Sequence, residues 1–178
     1  MEYINRNPII YVLSGKAKSG KNQVANIIND FYYDKKCIQL SFAKYLKEYV
    51  KNITGWDGSE ETKPRDILQN LGIDLLKKIN PNLLISRVCD DIKVYSYFYD
   101  VIIITDARLI DEIETIKNNF KCVTIRVLNK LDNNLTSKQK NHITEIDLDN
   151  YNKFDYVIEN NENLENQVIN ILKVIKWM

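Results

Sequence analysis

The chain is poor in the residues that mark several protein classes. Its 178 residues include one histidine, three cysteines, five glycines and three prolines. Cys37, Cys89 and Cys122 are far apart, odd in number and form no C-x-x-C pair. A disulfide framework or a cysteine-based metal site is therefore not indicated, and the thiols are expected to be reduced and intracellular. The small number of glycines and prolines excludes a collagen-like or low-complexity chain and favours an ordered domain.

The sequence also lacks an excess of charge and a long apolar run. Lys and Arg total 25 against 24 Asp and Glu, which gives no support for general binding to nucleic acid or to a membrane surface. No apolar segment approaches the roughly 18 residues that suggest a membrane span. The first residues, MEYINRNP, contain no apolar signal-peptide region. We expect a cytoplasmic monomer or homodimer, with neither a nucleic-acid polymer nor a membrane as partner.

What the sequence does contain is an alternation of short apolar runs with segments of helical periodicity. A chain of 178 residues is expected to form one domain. Apolar strands spaced by helices predict a five-stranded, mainly parallel sheet covered on both faces, which is a three-layer α/β/α architecture. Strands are predicted at residues 9–14, 36–42, 101–105, 122–128 and 154–159. Helices are predicted at residues 20–33, 43–53, 62–78, 81–95, 109–119 and 162–176.

A glycine-containing loop lies between the first predicted strand and the first predicted helix. Its sequence, GKAKSGKN, fits the phosphate-loop pattern G-x-x-x-x-G-K at Gly15, Gly20 and Lys21. Backbone N–H groups of such a loop, with the start of the following helix, converge on phosphate oxygens, and the lysine neutralises the terminal phosphates. We therefore expect the loop to bind ATP. The residues expected to contact it are Gly15, Lys16, Ala17, Lys18, Ser19, Gly20, Lys21 and Asn22.

Further residues bear on Mg²⁺ and on the phosphoryl group that would be transferred. Asn22 stands where a phosphate loop usually has Ser or Thr, so only weak magnesium binding is expected from it. Asp106 directly follows the run VIIIT, at the sheet edge where open parallel sheets bind ligands, and is expected to hold magnesium through water. Arg108 follows two residues later. Together with Lys18 and Lys21, it is predicted to stabilise negative charge in the same crevice.

Residues 129–150 form a polar stretch without clear periodicity, which is predicted to be a small flap over the site. The stretch begins with NKLD, which matches the guanine-reading N-K-x-D motif of GTPases. Those proteins also need a D-x-x-G switch, whereas Asp106 is followed by Ala, Arg and Leu. A GTPase is therefore not favoured.

Four ordered blocks of the sequence carry a resemblance to a known family. They read SGKAKSGKN, RDILQNLGIDLLKKINPNL, ITDARLIDEIE and NHITEIDLDNYNKFDYVIEN. Together, from about Ile9 to about Asn170, the chain resembles the deoxynucleoside monophosphate kinases of phage and viral type, within the adenylate-kinase-like P-loop kinases. The resemblance implies transfer of the γ-phosphoryl of ATP, with Mg²⁺, to a (deoxy)nucleoside monophosphate. The location would be the host cytoplasm if the chain is viral.

The same resemblance implies an acceptor pocket built largely on the helices of residues 43–95. The residues that it places around the acceptor are Lys47, Arg65, Gln69, Lys77, Arg108, Glu112, His142 and Glu145. The chain departs from the family pattern at a few positions. Asn22 replaces an acid, Ile73 and Lys77 stand where a Thr and a later Arg are often found, and Asp111 replaces an Asn.

Two other functions stay open at this point. One is a P-loop kinase for a non-nucleotide phosphate such as phosphomevalonate, because such enzymes share this style of loop. The other is a non-catalytic nucleotide-binding module, in which Asn22 reflects loss of activity. An assay of ADP release separates these functions, whereas the residues alone do not.

Overall fold

Every strand pair in the sheet is parallel, as expected for apolar runs separated by helices. The computed structural model describes residues 3–129, 136 and 140–176. Its five-stranded sheet has the order β2-β3-β1-β4-β5. The strands are β1 (Ile9–Ser14), β2 (Cys37–Leu40), β3 (Val101–Ala107), β4 (Cys122–Leu128) and β5 (Tyr156–Glu159). The predicted α/β class and five strands are confirmed.

Helices follow the strands and cover both faces of the sheet. In chain order they are α1 (Lys21–Phe31), α2 (Ala43–Thr54), α3 (Arg65–Gln69), α4 (Lys77–Ile79), α5 (Leu83–Tyr95), α6 (Ile110–Asn119), α7 (Ile143–Ile146) and α8 (Leu164–Lys176). No helix in the described part of the chain is long and apolar enough to span a membrane.

Two apolar cores lie on opposite faces of the sheet, because side chains along a strand alternate between its faces. On one face, Tyr11 and Leu13 pack with residues of α1 and α8 such as Ile28 and Leu172. The other core contains apolar side chains of β1, β3, α5 and α6. Its members include Ile10, Val12, Ile102, Ile104, Val88, Ile92, Ile113 and Ile116. The predicted three-layer architecture is confirmed.

The predicted helix of residues 62–78 differs from an ordinary α-helix. It begins at Arg65, and its middle, Asn70–Leu76, is π-helical between α3 and α4. Gly72 lies in this π-segment, and a Cβ there would come within 3.1 Å of Leu46 Cδ2 on α2. A small apolar cluster that includes Leu46 and Trp56 joins α2 to this helix. Trp56 is therefore part of the packing between α2 and this helix.

Candidate active site

The glycine loop leads from β1 directly into α1, at the carboxyl edge of the sheet. Gly20 is the residue before the helix and has φ +100°. A Cβ at this position would lie 2.4 Å from Asn160 Nδ2, so both conformation and space favour glycine. Lys18 also has positive φ, at +59°. These backbone conformations wrap the loop around the start of α1.

Lys21 lies inside the loop with only 7% of its surface exposed. Its Nζ donates hydrogen bonds of 2.8 Å to the carbonyl oxygens of both Gly15 and Lys16. Burial lowers the pKa of Lys21 to about 7, and the nearby Arg108 and Arg126 guanidinium groups act in the same direction. The loop thus holds a desolvated cation that negative charge would stabilise.

Asp106 lies at the carboxyl end of β3, as predicted, but its carboxylate is already engaged with α2. It accepts hydrogen bonds from Ser41 Oγ at 2.6 Å and from the N–H groups of Phe42 and Ala43 at 2.8 and 3.1 Å. The carboxylate thus caps the start of α2, where helix N–H groups have no intrahelical partner. Each carboxylate oxygen has more than one acceptor site, so this capping is compatible with a water-mediated contact to magnesium.

Asp106→Ala is therefore expected to destabilise the fold. Capping contacts and hydrogen bonds to a charged group each contribute about 0.5–3 kcal/mol, and we expect a loss of about 2 kcal/mol in the free energy of unfolding, measured in urea. Asp111→Ala is the matched control, since Asp111 is exposed and its ion pair with Lys77 is long, at 3.6 Å. Equal stability of the two variants would contradict a capping role for Asp106.

Arg108 is held between two glutamates. Glu145 is buried and accepts hydrogen bonds from the Arg108 guanidinium and from the loop N–H of Ala17, the latter at 2.9 Å. Glu112 is buried as well, and accepts from the N–H groups of Arg108 and Leu109 at 2.7 and 3.0 Å. Burial raises the pKa of Glu112 to about 7 even though these donors oppose the shift. Glu112 fixes the backbone after β3, while Glu145 fixes the Arg108 side chain beside the loop.

A cavity of about 890 Å³ joins the loop to the helices around residues 43–85. We call it the large cavity; its volume is in the range of small-molecule sites. It brings together most of the residues predicted from the sequence. Those on its wall are Ala17, Lys18, Ser19, Gly20, Lys21, Asn22, Lys47, Arg65, Gln69, Lys77, Asp106, Arg108, Glu112 and Glu145.

Three predicted residues lie outside this wall. Gly15 is buried beneath the loop, where its carbonyl accepts from Lys21. Lys16 points away and pairs with Asp149 at 2.8 Å. His142 immediately precedes α7, and its Nδ1 accepts from the N–H of Thr144 at 3.3 Å. Its position indicates a helix-capping role, and among the described residues it lines neither this cavity nor the smaller one described next.

A second cavity, of about 590 Å³, lies against the other flank of the loop and is partly lined by residues 140–157. The predicted flap falls partly here, although its residues 130–135 and 137–139 lie outside the described residues. Asp149 pairs with Lys16 at 2.8 Å and with Arg126 at 3.5 Å, and Leu148 is buried in a sheet core. In this conformation residues 143–149 are docked onto the loop through their carboxylates.

Two residues on the wall of the large cavity, Glu60 and Lys63, were not predicted from the sequence, because neither belongs to a block that carries the resemblance. A signal for Lys63 was present, since it stands two residues before Arg65 in the segment KPR. In the part of the chain that the structure describes, no three His, Cys, Asp or Glu side chains cluster as a metal site.

Comparison with solved structures shows which fold this is. The APS kinase of Mycobacterium tuberculosis, solved with AMPPNP and APS, matches with a TM-score of 0.59 and 10% identity over 96% of this chain and 98% of that one. The chain has the P-loop kinase fold. TT1252 from Thermus thermophilus matches with a TM-score of 0.54 and 14% identity over 95% and 96% of the two chains. For the shikimate kinase of Aquifex aeolicus the TM-score is 0.51, at 13% identity over 94% and 96%.

At identities this low, the P-loop kinase fold is what the comparison establishes. No protein-family model and no curated protein sequence matches the chain. The narrower resemblance to deoxynucleoside monophosphate kinases stays a prediction. A fold of this kind carries many chemistries, so the reaction has to be inferred from the site.

Proposed function

We propose that the chain is a phosphotransferase that moves the γ-phosphoryl of ATP to a (deoxy)nucleoside monophosphate. The observation that carries this proposal is the charge distribution of the large cavity. The loop contributes Lys21 to its wall, α2 and α3 contribute Lys47 and Arg65, and the segment just before α3 contributes Lys63. Cations from separate elements around one cavity suit a reaction between two anionic substrates.

In this reaction the loop N–H groups and Lys21 would hold the terminal phosphates of the donor. Arg108, which reaches the cavity beside the loop, would stabilise charge on the transferring group. The attacking atom is a phosphate oxygen that is already ionised, so a strong general base is not required. A closed site keeps water from competing as acceptor, and residues 143–149, which contact the loop, are suited to that task.

Magnesium would neutralise charge on the donor phosphates when it is bound. In sites of this kind the ion is usually held by phosphates, waters and one or two carboxylates. Asp106 and Asn22 both lie on the cavity wall. They fit this mode of binding, with Asp106 acting through water and Asn22 as a weak ligand.

An ADP-release assay with ATP, Mg²⁺ and a panel of acceptors tests the proposal. The panel contains ribo- and deoxynucleoside monophosphates of each base, together with phosphomevalonate. We expect ADP release with at least one nucleoside monophosphate, and its loss on chelation of the metal. Release with phosphomevalonate alone would favour the non-nucleotide kinase. ATP binding without release from any acceptor would favour the binding module.

A further inference from the structure

Glu60 bridges two cations that face the large cavity. Its Oε1 lies 2.5 Å from Lys63 Nζ, and its Oε2 lies 3.4 Å from an Arg65 guanidinium nitrogen. Each carboxylate oxygen thus contacts a different positive group. Two oxygens of a phosphate can make the same pair of contacts, since carboxylate and phosphate oxygens are both recognised by such cations.

The cations of this cluster are more enclosed than the acid that pairs with them. The Glu60 side chain is 70% exposed, whereas those of Lys63 and Arg65 are 17% and 30% exposed. Burial lowers the pKa of Lys63, and the nearby Lys47 and Arg65 add to that effect against the opposing influence of Glu60. Glu60 can therefore rotate into solvent when another anion replaces it, while the cations stay on the cavity wall.

The charges of the cluster are also unbalanced. Lys47, Lys63 and Arg65 contribute three positive charges, and Glu60 contributes one negative charge. If Glu60 leaves, three cations face the cavity, which suits a phosphate monoester carrying about two negative charges near neutral pH. A neutral acceptor would leave this charge uncompensated in a partly desolvated site.

We propose that Lys47, Lys63 and Arg65 form the subsite that binds the phosphate of the acceptor, and that the Glu60 carboxylate occupies this subsite until the acceptor displaces it. The identity of the acceptor in this inference rests on the proposed function. The binding of a phosphate group at the cluster is independent of that function. The inference adds Lys63 as a phosphate-binding residue. It also predicts that the Glu60 carboxylate competes with the acceptor phosphate for the same cations.

Trp56 provides a local reporter for a direct test. Its indole N–H donates to the carbonyl of Ser59, the residue before Glu60. The only other tryptophan in the sequence is Trp177, so Trp177→Phe leaves Trp56 as the single tryptophan, whose emission is excited selectively over that of tyrosine. Inorganic phosphate is titrated in this background with Lys21→Ala added, so that the loop lysine does not contribute. We expect a saturable change in Trp56 fluorescence.

Two substitutions should then move phosphate affinity in opposite directions. Lys63→Gln should weaken binding about tenfold or more, because a charge-assisted hydrogen bond is lost. Glu60→Gln should tighten binding several-fold, because the competitor loses its charge. Lys78→Gln is the matched control, since Lys78 is exposed on the neighbouring α4 and outside the described cavity walls; it should change little. A substitution that merely loosened the fold would weaken binding in both variants.

Unchanged phosphate affinity in Lys63→Gln, or weaker binding in Glu60→Gln, would overturn the subsite. In turnover assays of the protein with Lys21 intact, Lys63→Gln should raise the KM for the acceptor monophosphate and leave the KM for ATP unchanged. The phosphate subsite and the proposed function can be disproved independently of each other. Phosphate binding at the cluster without phosphorylation of any monophosphate would support the subsite and defeat the proposed function.

Discussion

Lys21→Ala is expected to lower turnover by ~10²–10³-fold, the usual effect of removing one preorganised charge from a transition state. The structure gives the reason for so large a loss. Lys21 is buried in the loop, and the two carbonyls to which it donates fix its position before any phosphate arrives. The protein thus bears the desolvation of the Lys21 amine in the ligand-free state, and the substrate phosphates meet a group whose position needs no reorganisation.

Lys21 should also affect the number of protons taken up when nucleotide binds. Since its pKa is lowered to about 7 in the ligand-free protein, Lys21 is largely neutral at pH 8. Phosphate charge beside it raises the pKa again, so nucleotide binding at pH 8 should take up protons. Calorimetry in two buffers with different ionisation enthalpies measures this uptake, and Lys21→Ala should reduce it.

Lys35→Ala is the control for both measurements, since Lys35 is exposed and lies outside the walls of both described cavities. Urea unfolding should show that Lys21→Ala remains folded, because the substitution removes a buried charge rather than an apolar contact. Near-normal turnover in a folded Lys21→Ala protein would contradict the assignment of a phosphotransferase.

The fold could be predicted because its signals are local in the sequence. Each buried strand is a short apolar run, and α1 begins where the glycine loop ends. The predicted and observed strands differ at their ends, because tertiary contacts determine where a strand stops. Strand β3 extends to Ala107 because Ala107 pairs with Ser14 of β1. Strand β2 stops at Leu40, and the next residues turn into α2 under the Asp106 carboxylate.

The site was predictable to the extent that its motif is contiguous. The loop follows from one stretch of eight residues. In contrast, the contacts that organise it join distant parts of the chain: Glu145 to Ala17 across 128 positions, and Lys16 to Asp149 across 133. No periodicity or spacing encodes such a pair. The sequence therefore predicted a flap over residues 129–150 without the contacts that Glu145 and Asp149 make with the loop, and the flap stays a prediction.

The π-helical segment is a second feature that could not be predicted from the sequence. Residues 62–78 have an ordinary helical pattern, and α3 and α4 are α-helical. The departure at Asn70–Leu76 includes Gly72, which packs against Leu46 of another helix. Because that contact depends on how α2 lies, the sequence of this helix by itself does not predict it.

Arg108→Ala is expected to lower turnover by at least about 10²-fold with a smaller effect on ATP binding, since arginines that stabilise a transferring phosphoryl group act mainly in the transition state. Arg6→Ala is the matched control, because Arg6 is a surface residue whose guanidinium pairs with Asp100. Turnover of Arg108→Ala within about threefold of the unmodified protein would exclude Arg108 from the reaction. A large rise in the KM for ATP at unchanged turnover would make it a binding residue instead.

The contact between Glu145 and Arg108 allows a sharper prediction. Glu145→Gln keeps an oxygen that can accept from the N–H of Ala17 but loses the charge that holds the Arg108 guanidinium, so turnover should fall about tenfold. If Glu145 acts only by positioning Arg108, the same substitution should have almost no further effect on turnover in the Arg108→Ala background. Independent roles would instead give additive losses in the double variant. A cycle of four proteins, measured for both kcat and KM, decides between these outcomes. Additive losses in kcat would show that the buried carboxylate acts on the loop or on the substrates directly, through its contact with Ala17.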